Sequence, residues 1–255
     1  MAKSLKGLKL DRTRILNILK NCYLGGLIEE CILKIKNGKG IIEAVDITSS
    51  IIVVTKKRIL PKGINTILGI GNIDLLAKSI SAMPDNIKAF LGDDYFSISN
   101  SGGRRKLIYL LTDPDLISTK IEMDDDEKIL DKIKKSSKYT AELTESFIQD
   151  FQTNISLLKI KEVSLKAKGD ALTFVCGGEN DHQYKMRLEN EIDCDENMEV
   201  KLNGENLSKV FSVISRDEDE PVTIQFGENS PLVINGKDSV WALTPLAGLE
   251  DEEGD

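Results

Sequence analysis

Apolar residues along the chain switch between two spacings, and the switches divide it into elements. Between residues 11 and 24, Ile15, Leu16, Ile18, Leu19 and Cys22 recur at three- and four-residue intervals, the stripe of an amphipathic helix. Asp11 stands where an N-cap belongs, and Gly25-Gly26 where such a helix stops. The stretch "CILKIKNGKGIIEAVD" then alternates apolar and polar residues about Asn37-Gly38, the pattern of a hairpin. "SSIIVVTKK" continues as a strand. After a break at Pro61-Lys62-Gly63, "NIDLLAKSISAM" returns to helical spacing. "NIKAFLGDDYFSISNSGGRRKLIYLLTD" reads as three strands with turns at Gly92-Asp93-Asp94 and Ser101-Gly102-Gly103.

The pattern then lapses over residues 113–137, where an acidic run, Asp124-Asp125-Asp126-Glu127, precedes a lysine-rich end. A stretch this long without its own periodicity reads as a linker. Periodicity resumes with "TESFIQDFQTNISLLK", whose apolar face is Phe147, Ile148, Phe151, Ile155 and Leu158. "VSLKAKGDALTFVCGG" and "QYKMRLEN" are strands, "NGENLSKVFSVIS" a short helix, and "EPVTIQFGENSPLVINGKDSVWALTPL" three strands again. The order of elements repeats with a period near 130 residues, a feature to settle before motifs are read. "DLLAKSIS" lies over "NLSKVFSVIS", Gly92 over Gly227, Asn100 over Asn235, Tyr109 over Trp241 and Thr112 over Thr244. The expected organisation is a first domain over 1–112, a connecting loop over 113–137, a second domain over 138–248 and an acidic tail over 249–255. Each half is expected to be a mostly antiparallel sheet carrying two helices, an α+β architecture. The sheet edges left open need partners, and a closed ring supplies them.

Composition changes the picture in one respect. Of 255 residues, 40% are apolar and 30% charged, as expected of a soluble globular protein. The formal net charge is −8, yet "MAKSLKGLKLDRTRILNILKNC" carries Lys3, Lys6, Lys9, Arg12, Arg14 and Lys20 against the single acid Asp11. Contact with phosphates depends on where basic residues sit and not on their sum. No apolar run approaches the ~20 residues of a membrane span, so no membrane association is expected. The N-terminus lacks the apolar stretch of a secretion signal. The four cysteines, Cys22, Cys31, Cys176 and Cys194, fit no zinc spacing and are expected to be reduced thiols. His182 is the lone histidine, so no metal site and no cofactor are expected.

Catalytic motifs are not found. "GIGNID" holds Gly69 and Gly71 but lacks the third glycine and the βαβ context of a dinucleotide loop. There is no P-loop and no nucleophile elbow. The acids at 124–127 suit a hard cation but read more simply as a solvated segment. An enzyme is the weak reading.

Two similar halves, each helix–strands–helix–strands, joined by a long linker, resemble the sliding-clamp family of the PCNA (proliferating cell nuclear antigen) type. The ending "NSPLVINGKDSVWALTPLAGLEDEEGD" is similar to that family's last strands, with Leu243-Thr244-Pro245 where the family has Leu-Ala-Pro, followed by the acidic tail from Leu249 to Gly254. "IIEAVDITSSIIV" resembles the family's first-domain strand pair around an Asp-Ser-Ser sequence, here Asp46-Ile47-Thr48-Ser49. At 255 residues the chain is short for the three-domain dimeric clamps of bacteria.

The resemblance implies a homotrimeric ring around duplex DNA, bound without regard to sequence, with helices lining the hole and sheets outside. The ring tethers a DNA polymerase, is loaded by an ATP-driven clamp loader, has no catalytic activity and works inside the cell at replicating DNA. Carried over residue by residue, Lys9, Arg12, Arg14, Lys20, Lys78, Gln149 and Lys209 would face DNA. Val45, Leu116, Ile117, Ile121, Pro231, Ala242 and Pro245 would form a pocket for the short motifs of replication and repair proteins. Ala242 stands where an aromatic is common. Subunit contacts would run along Lys106–Leu111 and Gln183–Leu188, with Leu107, Tyr109, Tyr184 and Met186 packing across them. One departure stands out. The helix of residues 144–158 has no Lys or Arg before Lys159, and its polar face is Gln149, Gln152, Thr153 and Asn154. Other functions compatible with the pattern are a non-encircling monomeric or dimeric processivity subunit, a subunit of a heterotrimeric checkpoint-like ring, and a structural β-protein of a virus particle.

Overall fold

Four helices among the described residues each start at or just after the end of a strand, on a side chain that caps them. The computed structural model describes residues 5–37, 39–46, 48, 50–58, 65–92, 94–100, 102–117, 135, 137–178, 182–188, 192, 194–214, 221–228, 230–237 and 239–246, with backbone only for 5–10, 39–41, 43, 56–58 and 195–196. The helices are α1 (Arg12–Tyr23), α2 (Ile73–Ser81), α3 (Glu145–Leu158) and α4 (Gly204–Val213). Asp11 accepts from the N–H of Arg14, Asn72 from Leu75, Thr144 from Phe147 and Asn203 from Asn206. Each cap satisfies one of the four amide groups a helix start leaves orphaned, worth about 1 kcal/mol. Helices α1 and α3 end alike, on the left-handed residues Leu24 and Lys159, whose amides return to the carbonyls of Lys20 and Ile155.

The chain divides into two compact units, Met1–Glu122 and Met123–Asp255. The first runs β1 (Leu5–Asp11), α1, β2 (Cys31–Lys36), β3 (Lys39–Val45), β4 (Ile51–Arg58), β5 (Thr66–Ile70), α2, β6 (Asn86–Leu91), β7 (Tyr95–Asn100), β8 (Lys106–Leu110) and a 3-10 turn at Pro114–Leu116. The second runs β9 (Tyr139–Leu143), α3, β10 (Glu162–Gly169), β11 (Ala171–Cys176), β12 (Tyr184–Leu188), β13 (Cys194–Asn203), α4, β14 (Val222–Phe226), β15 (Leu232–Asn235) and β16 (Ser239–Leu243). Within the first unit the antiparallel orders are β1-β6-β7-β8 and β5-β2-β3-β4. Within the second they are β9-β14-β15-β16 and β13-β10-β11-β12. The two units therefore share element order and strand order throughout.

This corrects the expectation of one sheet per half. Each unit holds two sheets of four strands, and its helices are the crossings between them. The first helix leaves β1 or β9 for the second sheet, and the second helix returns to the first. The strands not foreseen are β1, β5, β9 and β13, each ending at a helix cap or just before one. In two of them charge dilutes the alternation, β1 reading "LKGLKLD" and β13 "CDENMEVKLN", and β5 and β9 are only five residues long. They are strands because a neighbour pairs with them, a context that local propensity does not carry. Of the linker expected at 113–137, residues 118–134 and 136 lie outside the described residues, as do Pro61-Lys62-Gly63, the acids at 124–127 and the tail at 249–255.

Cores follow the helix stripes. Helix α1 buries Ile18, Leu19 and Cys22, and α2 buries Ile73, Leu76 and Ile80. Ile15 and Leu16 are only half-buried. The thiol of Cys22 lies 3.9 Å from the hydroxyl of Thr55 on β4. In the second unit an aromatic chain joins helices to sheet. Phe147 and Phe151 of α3 meet Phe174 of β11 edge-on, with centroids 4.9 and 6.1 Å apart, and Phe151 meets Phe211 of α4 at 5.0 Å. All four cysteines are buried free thiols. Burial pushes Cys22 up to about 12 and Cys176 to about 11, so neither is a nucleophile at neutral pH.

Gly69 and Gly71 have a steric reason for being glycines. Thr112 bridges to Gly69, donating its amide to the Gly69 carbonyl at 3.0 Å. A Cβ on Gly69 would lie 2.1 Å from the Thr112 carbonyl oxygen, and one on Gly71 2.2 Å from the Thr112 hydroxyl. The G-x-G lets the chain after β8 close onto β5. We expect Gly69→Ala to lower stability by about 1–3 kcal/mol, measured by urea unfolding.

Asp46 organises the connection from β3 to β4. It accepts from the Thr48 hydroxyl, the Thr48 amide (3.2 Å), the Ser50 hydroxyl (2.8 Å) and the Ile51 amide (2.7 Å). Burial alone would raise its pKa, but these bonds outweigh burial and hold the carboxyl below its ordinary value. Its contribution is therefore complete above the ordinary carboxylate range and is lost as pH falls through the depressed value. The Asp46→Ala protein should be less stable at neutral pH and should lose less stability than wild type from about pH 4 downward, read from denaturant midpoints across pH.

Candidate nucleic-acid interface

The helices of each unit pack in a pair, α1 on α2 and α3 on α4. All but one of the basic residues expected to face DNA sit on these helices. Lys9 lies in β1, with its side chain outside the described residues. Arg12 is committed elsewhere. Its guanidinium donates to the carbonyls of Ile80 (3.1 Å) and Ser81 (2.5 Å) and to the carboxylate of Asp85 (3.1 Å). Arg105, from the turn before β8, donates to the carbonyl of Ala82 at 3.3 Å. Two arginines thus cover the carbonyls at the end of α2, where a helix carries partial negative charge. Arg14 is half-buried and Lys20 exposed on α1. Lys78 is exposed and bridges to Asp74 one turn earlier at 2.5 Å. That contact raises the lysine's pKa.

On α3 the polar side chains turn back on their own helix. Gln149 donates to Glu145 (2.9 Å), Thr153 to the Gln149 carbonyl (2.9 Å) and Asn154 to the Asp150 carbonyl (2.7 Å). Beyond the end of α3 lies a cleft of about 410 Å³. Lys159 and Lys161 line it with Lys209 of α4, together with Ser156, Ser208 and Glu205. Of these lysines only Lys209 was expected at the site. Lys159 and Lys161 are separated in sequence from the other basic residues, and the helix stripe ends before them.

The edge residues divide by strand alternation. On β8, Tyr109 turns inward, and its hydroxyl donates to the Asn72 carbonyl and accepts from the Asn72 amide, both at 3.0 Å. Leu107 and Leu111 are half-buried and Lys106 is exposed. Ile108 and Leu110, 55% and 74% exposed, are the apolar side chains that β8 shows to solvent. On β12, Met186 and Leu188 are buried, Tyr184 is half-buried and Gln183 is exposed. A groove of about 280 Å³ runs between this strand and the start of α3, past Thr144, Phe147, Asp150, Tyr184, Met186 and Leu188. The strands β8 and β12 each end their sheet within their unit.

The residues expected to form a partner pocket fall in both units. In the first, Val45 and Ile117 are buried and Leu116 is 75% exposed. In the second, Ala242 is buried and Pro231 and Pro245 are half-buried. Ile121 lies outside the described residues.

No protein-family model matches the sequence, and no curated protein matches it significantly. Solved structures do. The chain is similar to the proliferating cellular nuclear antigen of Entamoeba histolytica, with a TM-score of 0.69 at 14% identity over 96% of this chain and 100% of that one. It is also similar to the DNA polymerase III subunit beta of Pseudomonas aeruginosa, with a TM-score of 0.73 at 14% identity over 96% of this chain and 68% of that one. The chain has the DNA sliding-clamp fold. At this identity the fold persists while the side chains that dress it have changed. In this chain Arg12 ties α1 to the end of α2. Arg12→Ala should therefore cost about 1–2 kcal/mol of stability, whereas Lys20→Ala should stay within about 0.5 kcal/mol of wild type, both from urea unfolding.

Proposed function

We propose that the protein is a DNA sliding clamp, a ring of three chains that encircles duplex DNA without sequence preference. It tethers a DNA polymerase and other replication or repair factors, and so raises processivity. The observation that carries this reading is the duplicated unit, whose two copies agree in element order and strand order, in a chain with the fold of the Entamoeba antigen and the Pseudomonas subunit. Each unit supplies a capped helix pair to line the hole. Loose phosphate contact needs only well-placed cations, because counterion release favours binding without reading bases. A clamp loader and short-motif replication and repair proteins are the other partners. The ring is a binding protein, not an enzyme, and acts inside the cell at replicating DNA.

Closure of the ring is assigned to β8 of one chain and β12 of the next. Each offers unpaired backbone groups along one side, and antiparallel pairing extends the sheet across the boundary. Side chains alternate across a strand, so pairing in phase sets Ile108 and Leu110 beside Lys185 and Arg187 and keeps Tyr109 on the side of Met186. The lysine and arginine stems then cover the two apolar side chains. Light scattering across a dilution series should give three chain masses that persist on dilution. Ile108→Asp with Leu110→Asp should reduce the mass to that of one chain. The loaded protein should stay on circular duplex and run off when the circle is cut. A single-chain mass for the wild type at every concentration would remove the ring.

A further inference from the structure

The cleft beyond the end of α3 has an apolar floor and a basic rim. Ile155 and Ile160 line it with Lys159, Lys161 and Lys209, and Glu205 is the single carboxylate among its lining residues. Lys159 and Lys161 are exposed, and among the described residues neither is in a salt bridge. We infer that this cleft is a docking site for the acidic segment of the same chain, residues 249–255. Docking needs neither DNA nor a ring, and so stands apart from the clamp reading.

A hydrogen bond delivers the segment to the cleft. After β16 the amide of Leu246 donates to the carbonyl of Lys201 at 2.8 Å. This fastens the chain to β13, the last strand of its sheet in the second unit. Lys201 stands two residues before Asn203, which lines the cleft and caps α4. At the rise of a strand that is about 7 Å. From Leu246 to Glu250 is at most about 14 Å of extended chain, so the first acid can reach the cleft. The whole of residues 247–255 spans at most about 30 Å, enough to cross it.

The segment matches the cleft in character. It reads Leu249-Glu250-Asp251-Glu252-Glu253-Gly254-Asp255 and carries no cation. Leu249 precedes the acids, as one apolar residue for the floor ahead of carboxylates for the rim. Other lysines near the anchor are already answered by acids, Lys201 by Glu162 at 4.0 Å and Lys166 by Glu199 at 3.2 Å. Lys168 lies on β10 at the far end from Glu162, roughly 20 Å along the strand. Lys209 follows Glu205 by one turn of α4. Lys159 and Lys161 are therefore the cations within reach that the fold leaves to the segment.

One exposed carboxylate–ammonium pair contributes little. The tether changes the balance, because a short flexible linker holds its ligand at a millimolar effective concentration. The contact is open to solvent, so it should fade as added salt shortens the screening length from about 10 Å at ~0.1 M to about 3 Å at ~1 M. The docked segment neutralises the cleft. Its two exposed lysines are then withheld until salt or a competing partner takes the segment away.

The test uses the full chain and a variant that ends at Leu246. A carbodiimide links a carboxylate to an amine where the two touch, and digestion with mass spectrometry finds the linked residues. At low salt the full chain should give links from residues 250–255 to Lys159 or Lys161 that disappear at ~1 M salt. The linked product should keep the mass of one chain under denaturing conditions. Acetylation of Lys159 and Lys161 should be about threefold faster in the chain that ends at Leu246, with Lys88 and Lys168 unchanged. Glu250→Gln/Asp251→Asn/Glu252→Gln/Glu253→Gln should reproduce that increase in a chain of full length. Thermal melts check that all the proteins are folded. Links only to other lysines, or no links at low salt, overturn the inference, as do equal acetylation rates. A linked product of two chain masses overturns it in favour of docking between copies.

Discussion

Among the described residues four helices are each launched from a strand through one capping side chain, and the two-sheet unit depends on that junction. Asp11, Asn72, Thr144 and Asn203 each stand where extended backbone turns into helix. Because the helices are the passages between sheets, moving a cap by one residue would rotate the following helix by about 100° and take its apolar stripe off the core. The second helix of each unit is held further by its first amide, which bonds to the carbonyl of Glu29 or Lys161 beyond the end of the first helix. Cap and amide together set the helix pair, and the helix pair sets the surface that the proposed function uses.

That surface is more economical in charge than the sequence suggests. The opening segment looks like a block of cations aimed at phosphate, yet Arg12 covers the carbonyls at the end of α2 with the help of Arg105. A guanidinium has five donors in a fixed fork and suits this task, which a lysine would do less well. Lys78 is held in part by Asp74. An acidic protein that handles DNA needs few cations, provided they are placed where the field of the remaining carboxylates is weakest.

The two units show how far one backbone can be redressed. Tyr109 and Trp241, aligned by the repeat, are both buried on the last strand of their units. The Tyr109 hydroxyl is tied to the cap residue Asn72. The core of the first unit is aliphatic around Cys22 and Thr55, whereas that of the second is built on Phe147, Phe151, Phe174 and Phe211. Interior volume and polar satisfaction had to be conserved in each unit, and side-chain identity did not.

Much was legible in the chain itself. All four helices follow from their stripes, and Asp11 follows as a cap because it precedes the first apolar turn. The hairpin at Asn37 was readable because a left-handed residue is needed there, and Asn37 adopts φ 52°. The duplication was visible as a recurring order of elements. The strands β1, β5, β9 and β13 were not readable: β1 and β13 are rich in charge and β5 and β9 are five residues long, and each becomes a strand because a neighbour pairs with it. The number of sheets was not readable either, since strand order depends on contacts distant in sequence. The role of Arg12 required the end of α2, 68 residues away, to be brought against it. Gly69 and Gly71 looked like a weak ligand motif until Thr112 was placed beside them. The gathering of Lys159 and Lys161 with Lys209 was decided by the packing of α3 on α4. Spacing and caps in the sequence decide where the helices form, because those forces act within a few residues. Which side chains meet is decided by long-range pairing, and the site is made of such meetings.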